Sequence, residues 1–165
     1  MGPHDDPKLS VEDRLDIQEL FARYAWSLDT GDLEGVLACF VEDGALEHQP
    51  QGRFVGREQI RQLLEDLWYS RPGWFVGRQH LANHFLITPE GRDRARVRAF
   101  FSILQHDTNA RTNFVFGLGN WDNICVKRDG RWWFESVTVE KWIGEGVPWA
   151  GEAHARSTTG AASGA

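Results

Sequence analysis

Two periods divide the chain. From Ser10 to Phe40 the apolar residues Ile17, Leu20, Phe21, Tyr24 and Leu28 recur three and four apart, which predicts a helix with one stripe turned to a core. Ser10 is a suitable N-cap, with Asp13 three residues on to reach back to it. A turn at Thr30-Gly31-Asp32 leads into a second short helical segment. Gly44–His48 reads as a short strand and Gly52–Gly56 as its hairpin partner across Gln49-Pro50-Gln51-Gly52. A third helix follows over Arg57–Trp68, with Ile60, Leu63, Leu64 and Leu67 on one face.

Beyond Gly77 the period falls to 2. The pattern predicts strands over Arg78–Thr88, Arg94 to about His106, Thr112 to about Lys127, and Arg131–Trp142, joined by tight turns at Pro89–Arg92 and Arg128–Gly130. In the second of these, Arg94, Arg96 and Arg98 share the wet face, and Val97, Ala99, Phe101 and Ile103 the other. Gly117 and Gly119 suit a bulge or bend where the sheet curls. The prediction is an α+β domain over residues 10–144, in which a strongly curved antiparallel sheet wraps around three N-terminal helices. Residues 1–9 form a flexible lead-in, and the small, polar stretch 145–165 a flexible tail.

Composition changes this picture in one respect. Eight Trp and ten Phe in 165 residues exceed what a small core needs, and several fall on strands that face inward, which favours a roomy apolar cavity. The net charge of −6, with the Arg scattered, offers no footprint for nucleic acid or anionic lipid. No apolar run approaches the roughly 20 residues of a membrane span, and the N-terminus has no secretory pattern, so a cytoplasmic protein is expected. Cys39 and Cys125 stand far apart and read as core thiols. No metal-ligand spacing, phosphate loop or nucleophile elbow is present, so cofactor-free, metal-free chemistry is expected.

The order WSLDTGDLEGVLACF, DGALE, the GREQI helix, RQHLANH and DGRWWF resembles the SnoaL-like branch of the NTF2-like superfamily over residues 10–142. The resemblance implies a cone-shaped α+β barrel with one deep apolar pocket, in a homodimer or homotrimer. It does not imply one function, since the superfamily includes lyases, isomerases, cyclases, binding modules and dioxygenase small subunits. Among these the chain is most similar to the bile acid 7α-dehydratases and hexachlorocyclohexane dehydrochlorinase. Those enzymes pair an Asp ending the first helix with a His on the first long strand, positions matched by Asp29 and His80. The bile acid enzymes also carry a Tyr five residues before the Asp, where Tyr24 stands. Their last-strand Arg has no counterpart here unless Lys141 replaces it.

A carboxylate that holds a histidine in one tautomer and stabilises its protonated form makes it a general base, so Asp29, His80 and Tyr24 are the candidate catalytic residues. Other readings stand beside this one. Asp29 can instead terminate its helix or cap the next, although Asp32 is better placed to cap. Tyr24 can be plain core. In a regular strand His80 and His84 share a face about 13 Å apart, so His84 can line the pocket further along or take the role of base itself. Asn83 adds to that ambiguity, since relatives often have an Asn three or four residues after the His. His48, His84 and His106 otherwise read as satisfied strand or surface histidines. Trp26, Trp74, Phe101, Phe116 and Trp121 are expected to line the cavity, with His84, Asn83 and Lys141 as its polar contacts. Trp74 and Phe75, within Tyr69–Gly77, suit a lid. The expected activity is a dehydratase-type elimination or an isomerisation on a hydrophobic polycyclic or aromatic molecule; a non-catalytic binding module or structural subunit is the alternative.

Overall fold

Ser10 starts the first helix by capping it. Its hydroxyl accepts from the Asp13 amide at 3.0 Å, and the Asp13 carboxylate accepts from the Ser10 amide at 3.3 Å. In the computed structural model, which describes residues 9–71, 76–143 and 147–148, helix α1 spans Val11–Thr30. The lead-in and tail expected at the two ends lie almost wholly outside the described residues. Asp13 does more than cap. Its Oδ1 also accepts from Lys127 Nζ at 2.7 Å and from the Trp132 indole at 2.9 Å, and these bonds fasten the start of α1 to the sheet. The expected stripe of Ile17, Leu20, Phe21, Tyr24 and Leu28 is buried. Gly31 ends the helix with φ +78°, a left-handed cap that glycine adopts without strain.

The short α2 (Leu33–Leu37) is capped by Asp32, whose carboxylate accepts from the Gly35 amide at 2.9 Å. Strand β1 (Phe40–His48) and β2 (Gly52–Val55) form the first hairpin. Helix α3 (Arg57–Leu64) then widens into a π-helical turn over Glu65–Tyr69. The helix expected to run regularly to Trp68 thus changes phase, and Trp68 becomes buried where Leu67 is only partly so.

Strands β3 (Gln79–Pro89), β4 (Arg94–Asp107), β5 (Thr112–Arg128) and β6 (Arg131–Lys141) form an antiparallel meander close to the predicted spans. The sheet order is β2-β1-β6-β5-β4-β3. One pairing departs from expectation, because β1 runs parallel to β6, with Leu46 opposite Val137. No tight turn links these two strands, so nothing local forces them to be antiparallel. The curved sheet is mixed and open, and helices complete the cone.

Its concave side packs on α1. Val97, Ala99, Phe101 and Ile103 of β4 are buried, while Arg96 and Arg98 are exposed as alternation requires. On the wet side Arg96 pairs with Asp122, and Arg94 with Glu90 and Glu135. Both cysteines are buried and free. Among the described residues no helix is long and apolar enough to cross a membrane.

Three register shifts curl the meander: at Asn83/Leu86 in β3, at Phe116 where Ile103 faces Gly117 but Leu104 faces Val115, and at Glu135 in β6. The two glycines of β5 have different roles. Gly117 adjoins the second bulge, whereas Gly119 permits a close approach: a Cβ there would run into the Glu140 carbonyl oxygen and lie 2.6 Å from the Phe101 ring. One neighbour is backbone and the other a buried ring, so neither can give way cheaply. Gly119→Ala is therefore expected to destabilise the fold by about 2 kcal/mol, the cost of overpacking a dense interior. Urea denaturation of the variant beside wild type measures it.

Candidate functional site

Cross-strand partners point to the same face, and that rule locates the site. His80 lies opposite Ile103, and Ala82 opposite Phe101; both β4 residues are buried on the concave side. His80 therefore faces inward, and its side chain is 6% exposed. Asp29, at the end of α1, meets it from behind. One carboxylate oxygen accepts from the His80 backbone amide at 2.6 Å, and the other lies 2.5 Å from Nδ1. A carboxylate accepts but cannot donate, so Nδ1 carries the proton in this pair. In the neutral ring the lone pair is then on Nε2, on the edge away from Asp29.

His80 borders a cavity of about 220 Å³ whose walls include Tyr24, Leu28, His48, Trp68, Phe101, Trp121 and Lys141, and it also borders the outer groove between α1 and β3. Trp121 stacks on Phe101 with ring centroids 5.4 Å apart, and the Tyr24 ring meets Trp121 edge-on at 5.8 Å. Tyr24 is fully enclosed, and burial raises its phenol well above the ordinary range, so the group stays protonated. Among the described residues no protein group takes up its hydroxyl.

The residues expected to line the cavity separate into two groups in space. Phe101, Phe116, Trp121 and Lys141 line it with Tyr24 and His80. His84, Asn83 and Trp26 do not. The β3 bulge, with His84 at φ +54°, reverses the alternation, so Phe85 and Ile87 take the inward positions and His84 turns out against Phe100. Asn83 goes with it, bonded to His84 Nδ1 at 2.6 Å. Trp26 is 75% exposed and borders a broad outer groove between α1 and β3, behind the dyad. Trp74 and Phe75, with the suggested lid, fall outside the described residues.

Two cavity residues do not stand out in the sequence. His48, read there as a satisfied or surface histidine, is buried on the inner face of β1, with Nδ1 2.6 Å from Gln51 Oε1 and its ring edge-on to Trp68. Its inward position follows from the pairing with Val139, which a propensity reading does not reveal. Arg78, two residues before His80 and on the same side, is 5% exposed. Its Nε donates to Gln105 Oε1 at 2.7 Å, and its guanidinium sits 4.5 Å over the Phe116 ring. Glu47 and Glu140 point outward instead, to Arg53 and Asn120. No group of three or more potential metal ligands comes together among the described residues.

The SnoaL-like domain model matches residues 9–138. The chain belongs to the SnoaL-like domain family. An NTF2-like protein with a cystatin-like fold from Novosphingobium aromaticivorans is similar in structure, with 25% identity, 88% of each chain covered and a TM-score of 0.71. A protein from the same organism provisionally described as a scytalone dehydratase is similar at 23% identity, over 81% of this chain and 86% of that one, with a TM-score of 0.69. LinA shares 14% identity over 79% of this chain and 86% of its own, with a TM-score of 0.68. No curated protein sequence matches this chain significantly.

His48 gives a test of the cavity's electrostatics. Burial, and next the charge of Lys141, lowers its pKa from 6.5 to about 4. The unfolded chain therefore binds the proton more readily than the folded one. Stability from this group is complete above pH 6.5 and lost as pH falls through 6.5 towards about 4. Nuclear magnetic resonance titration should show a neutral His48 ring throughout that window. In His48→Gln, denaturation midpoints should depend less on pH there; Asp13, whose pKa is lowered from 3.8 to about 2 chiefly by its Lys127 bond, acts below it.

Proposed function

We propose that this SnoaL-like protein is a cofactor-independent lyase that eliminates water from a small apolar alcohol, with His80 as the base. The observation that carries this reading is Asp29 spending both carboxylate oxygens on His80, which fixes the ring and leaves Nε2 as its basic nitrogen on a residue that borders an aromatic cavity. Similarity to a provisional scytalone dehydratase supports the reaction class.

In this mechanism Nε2 takes a proton from carbon, and the C–H electron pair becomes the new double bond. The C–O pair leaves with oxygen, which recovers the proton from the imidazolium and departs as water. Asp29 stabilises the imidazolium in between. Tyr24 holds its own proton too tightly to surrender it, so its part is a hydrogen bond to the departing oxygen. Isomerisation uses the same parts, with the proton returned to a different carbon. Phe101 and Trp121 hold the ring and exclude water. A cavity of about 220 Å³ lies below the roughly 300 Å³ at which drug-sized pockets begin, which favours one- and two-ring substrates over a steroid.

The test offers wild type, Asp29→Asn and His80→Ala a panel of benzylic and bicyclic alcohols, with hydroxylated steroids as the larger control, and follows loss of water by mass spectrometry. Turnover of a one- or two-ring alcohol is expected, falling about 10²- to 10⁴-fold in each variant with ligand affinity retained. Variants indistinguishable from wild type, or binding without turnover anywhere in the panel, would make the dyad structural and the chain a binding module.

A further inference from the structure

The lyase reading uses His80, Asp29 and Tyr24 and gives the second buried histidine of the cavity no part. His48 is 3% exposed at the end of β1, opposite Val139 of β6, and borders the same cavity as His80. The two imidazoles share a neighbour, since the Trp68 ring lies 5.8 Å from that of His48 and 6.4 Å from that of His80, between centroids. One small ligand therefore spans the space between them.

The Gln51 side-chain oxygen, 2.6 Å from His48 Nδ1, accepts and cannot donate, so Nδ1 carries the ring's proton. Burial, and next the charge of Lys141, lowers the pKa to about 4, so at neutral pH the ring is uncharged and Nε2 keeps its lone pair. Among the described residues no group donates to Nε2, yet it is not one of the side-chain atoms sealed off without a partner. In a ring so enclosed, the cavity is the space through which Nε2 is reached. The bond to Gln51 serves the turn between β1 and β2 and needs Nδ1 alone. An apolar side chain would fill the place beside Trp68 without the stability lost on acidification, and an asparagine would still hold Gln51. Folding thus accounts for one of the two nitrogens, and a buried acceptor left unmade is costly.

We infer that His48 is a specificity-determining residue whose Nε2 accepts a hydrogen bond from the ligand, and that the natural substrate is a one- or two-ring alcohol with a second hydroxyl. That hydroxyl is not the one eliminated. The departing oxygen gains negative charge, so an acceptor placed on it would oppose its departure, and the neutral His48 has no proton on Nε2 to offer it. The inference rests on the cavity being the site of the lyase proposed above, and adds the group by which the substrate is recognised. A site built to hydrogen-bond a hydroxyl discriminates against the analogue that lacks one, because its buried acceptor is then left unpaired. The other donor to Nε2 is a water molecule that stays whatever the ligand, and in that case a second hydroxyl gains no affinity.

The experiment compares 6-(hydroxymethyl)naphthalen-2-ol with naphthalene-2-methanol, which has the same rings and alcohol without the second hydroxyl, by titration calorimetry against the full chain at neutral pH. Wild type should bind the diol about fivefold more tightly, the net worth of one hydrogen bond. Two variants separate the nitrogens, since asparagine reproduces the position of Nδ1 and glutamine that of Nε2. His48→Asn should lose about that factor for the diol and none for the alcohol, whereas His48→Gln keeps it. Equal affinity of wild type for the two probes, or no binding of the diol, overturns the assignment. So does a preference that His48→Asn keeps, that both variants lose, or that His48→Gln alone loses, the last making the Gln51 bond the only role of the ring. The readout needs no catalysis. Absence of the preference leaves the His80 mechanism standing, and an inactive panel with the preference intact leaves the role of His48 standing.

Discussion

Asp29 gives one oxygen to the His80 ring and the other to its backbone, and that clasp ties the end of α1 to the edge strand β3. An edge strand has unpaired backbone groups and would otherwise be free to shift along its neighbour. At the opposite end of the same helix, Asp13 takes Lys127 and the Trp132 indole. The two carboxylates are sixteen positions apart, about 24 Å of helix, so α1 spans the concave side anchored at both ends. Between the anchors its apolar stripe supplies the packing, with Phe21 and Tyr24 edge-on to Phe134. The helix works as a strut, and the cavity lies in the space it holds open.

The irregularities of the sheet divide its side chains between inside and outside. A two-residue repeat maintained through β3 would have put His80 and His84 on one wall. The bulge reverses it, and the cavity keeps one histidine from that strand. Glycine at position 119 lets β6 come close enough for Lys141 to enter alongside Trp121 and Phe101. Small backbone events thus determine which ionisable groups meet. The result is an aromatic chamber with a neutral histidine on β1, an Asp-oriented histidine on β3, and Arg78 and Lys141 at its wall.

Much of this architecture is legible in the chain itself. Hydrophobic period places every strand and helix within a few residues, because burial on one face imposes its own spacing on the chain. Ser10 and Asp13, Asp32 and Gly31 carry their capping chemistry locally, so the helix ends are legible too. Asp29, His80 and Tyr24 stand out through resemblance to known lyases, and the fold brings all three together. The dyad's environment is less accessible. Nothing in HLANHF announces a bulge after Asn83, and a slip of one residue exchanges the faces of all that follow. A regular strand therefore places His84 and Asn83 in a cavity they do not reach. Trp26 misleads for a different reason, since a large aromatic on a helix gives no sign that its face is turned to an outer groove.

Local sequence thus determined the elements, their caps and the order in which they form an α+β cone, since each depends on residues a few positions apart. Tertiary structure alone decided the parallel pairing of β1 with β6, the inward turn of His48, and the meeting of Arg78 with Lys141 across the cavity. Those are relations between segments separated by much of the chain's length. They depend on register and on how the sheet curves, and neither is recorded in the spacing of any single stretch.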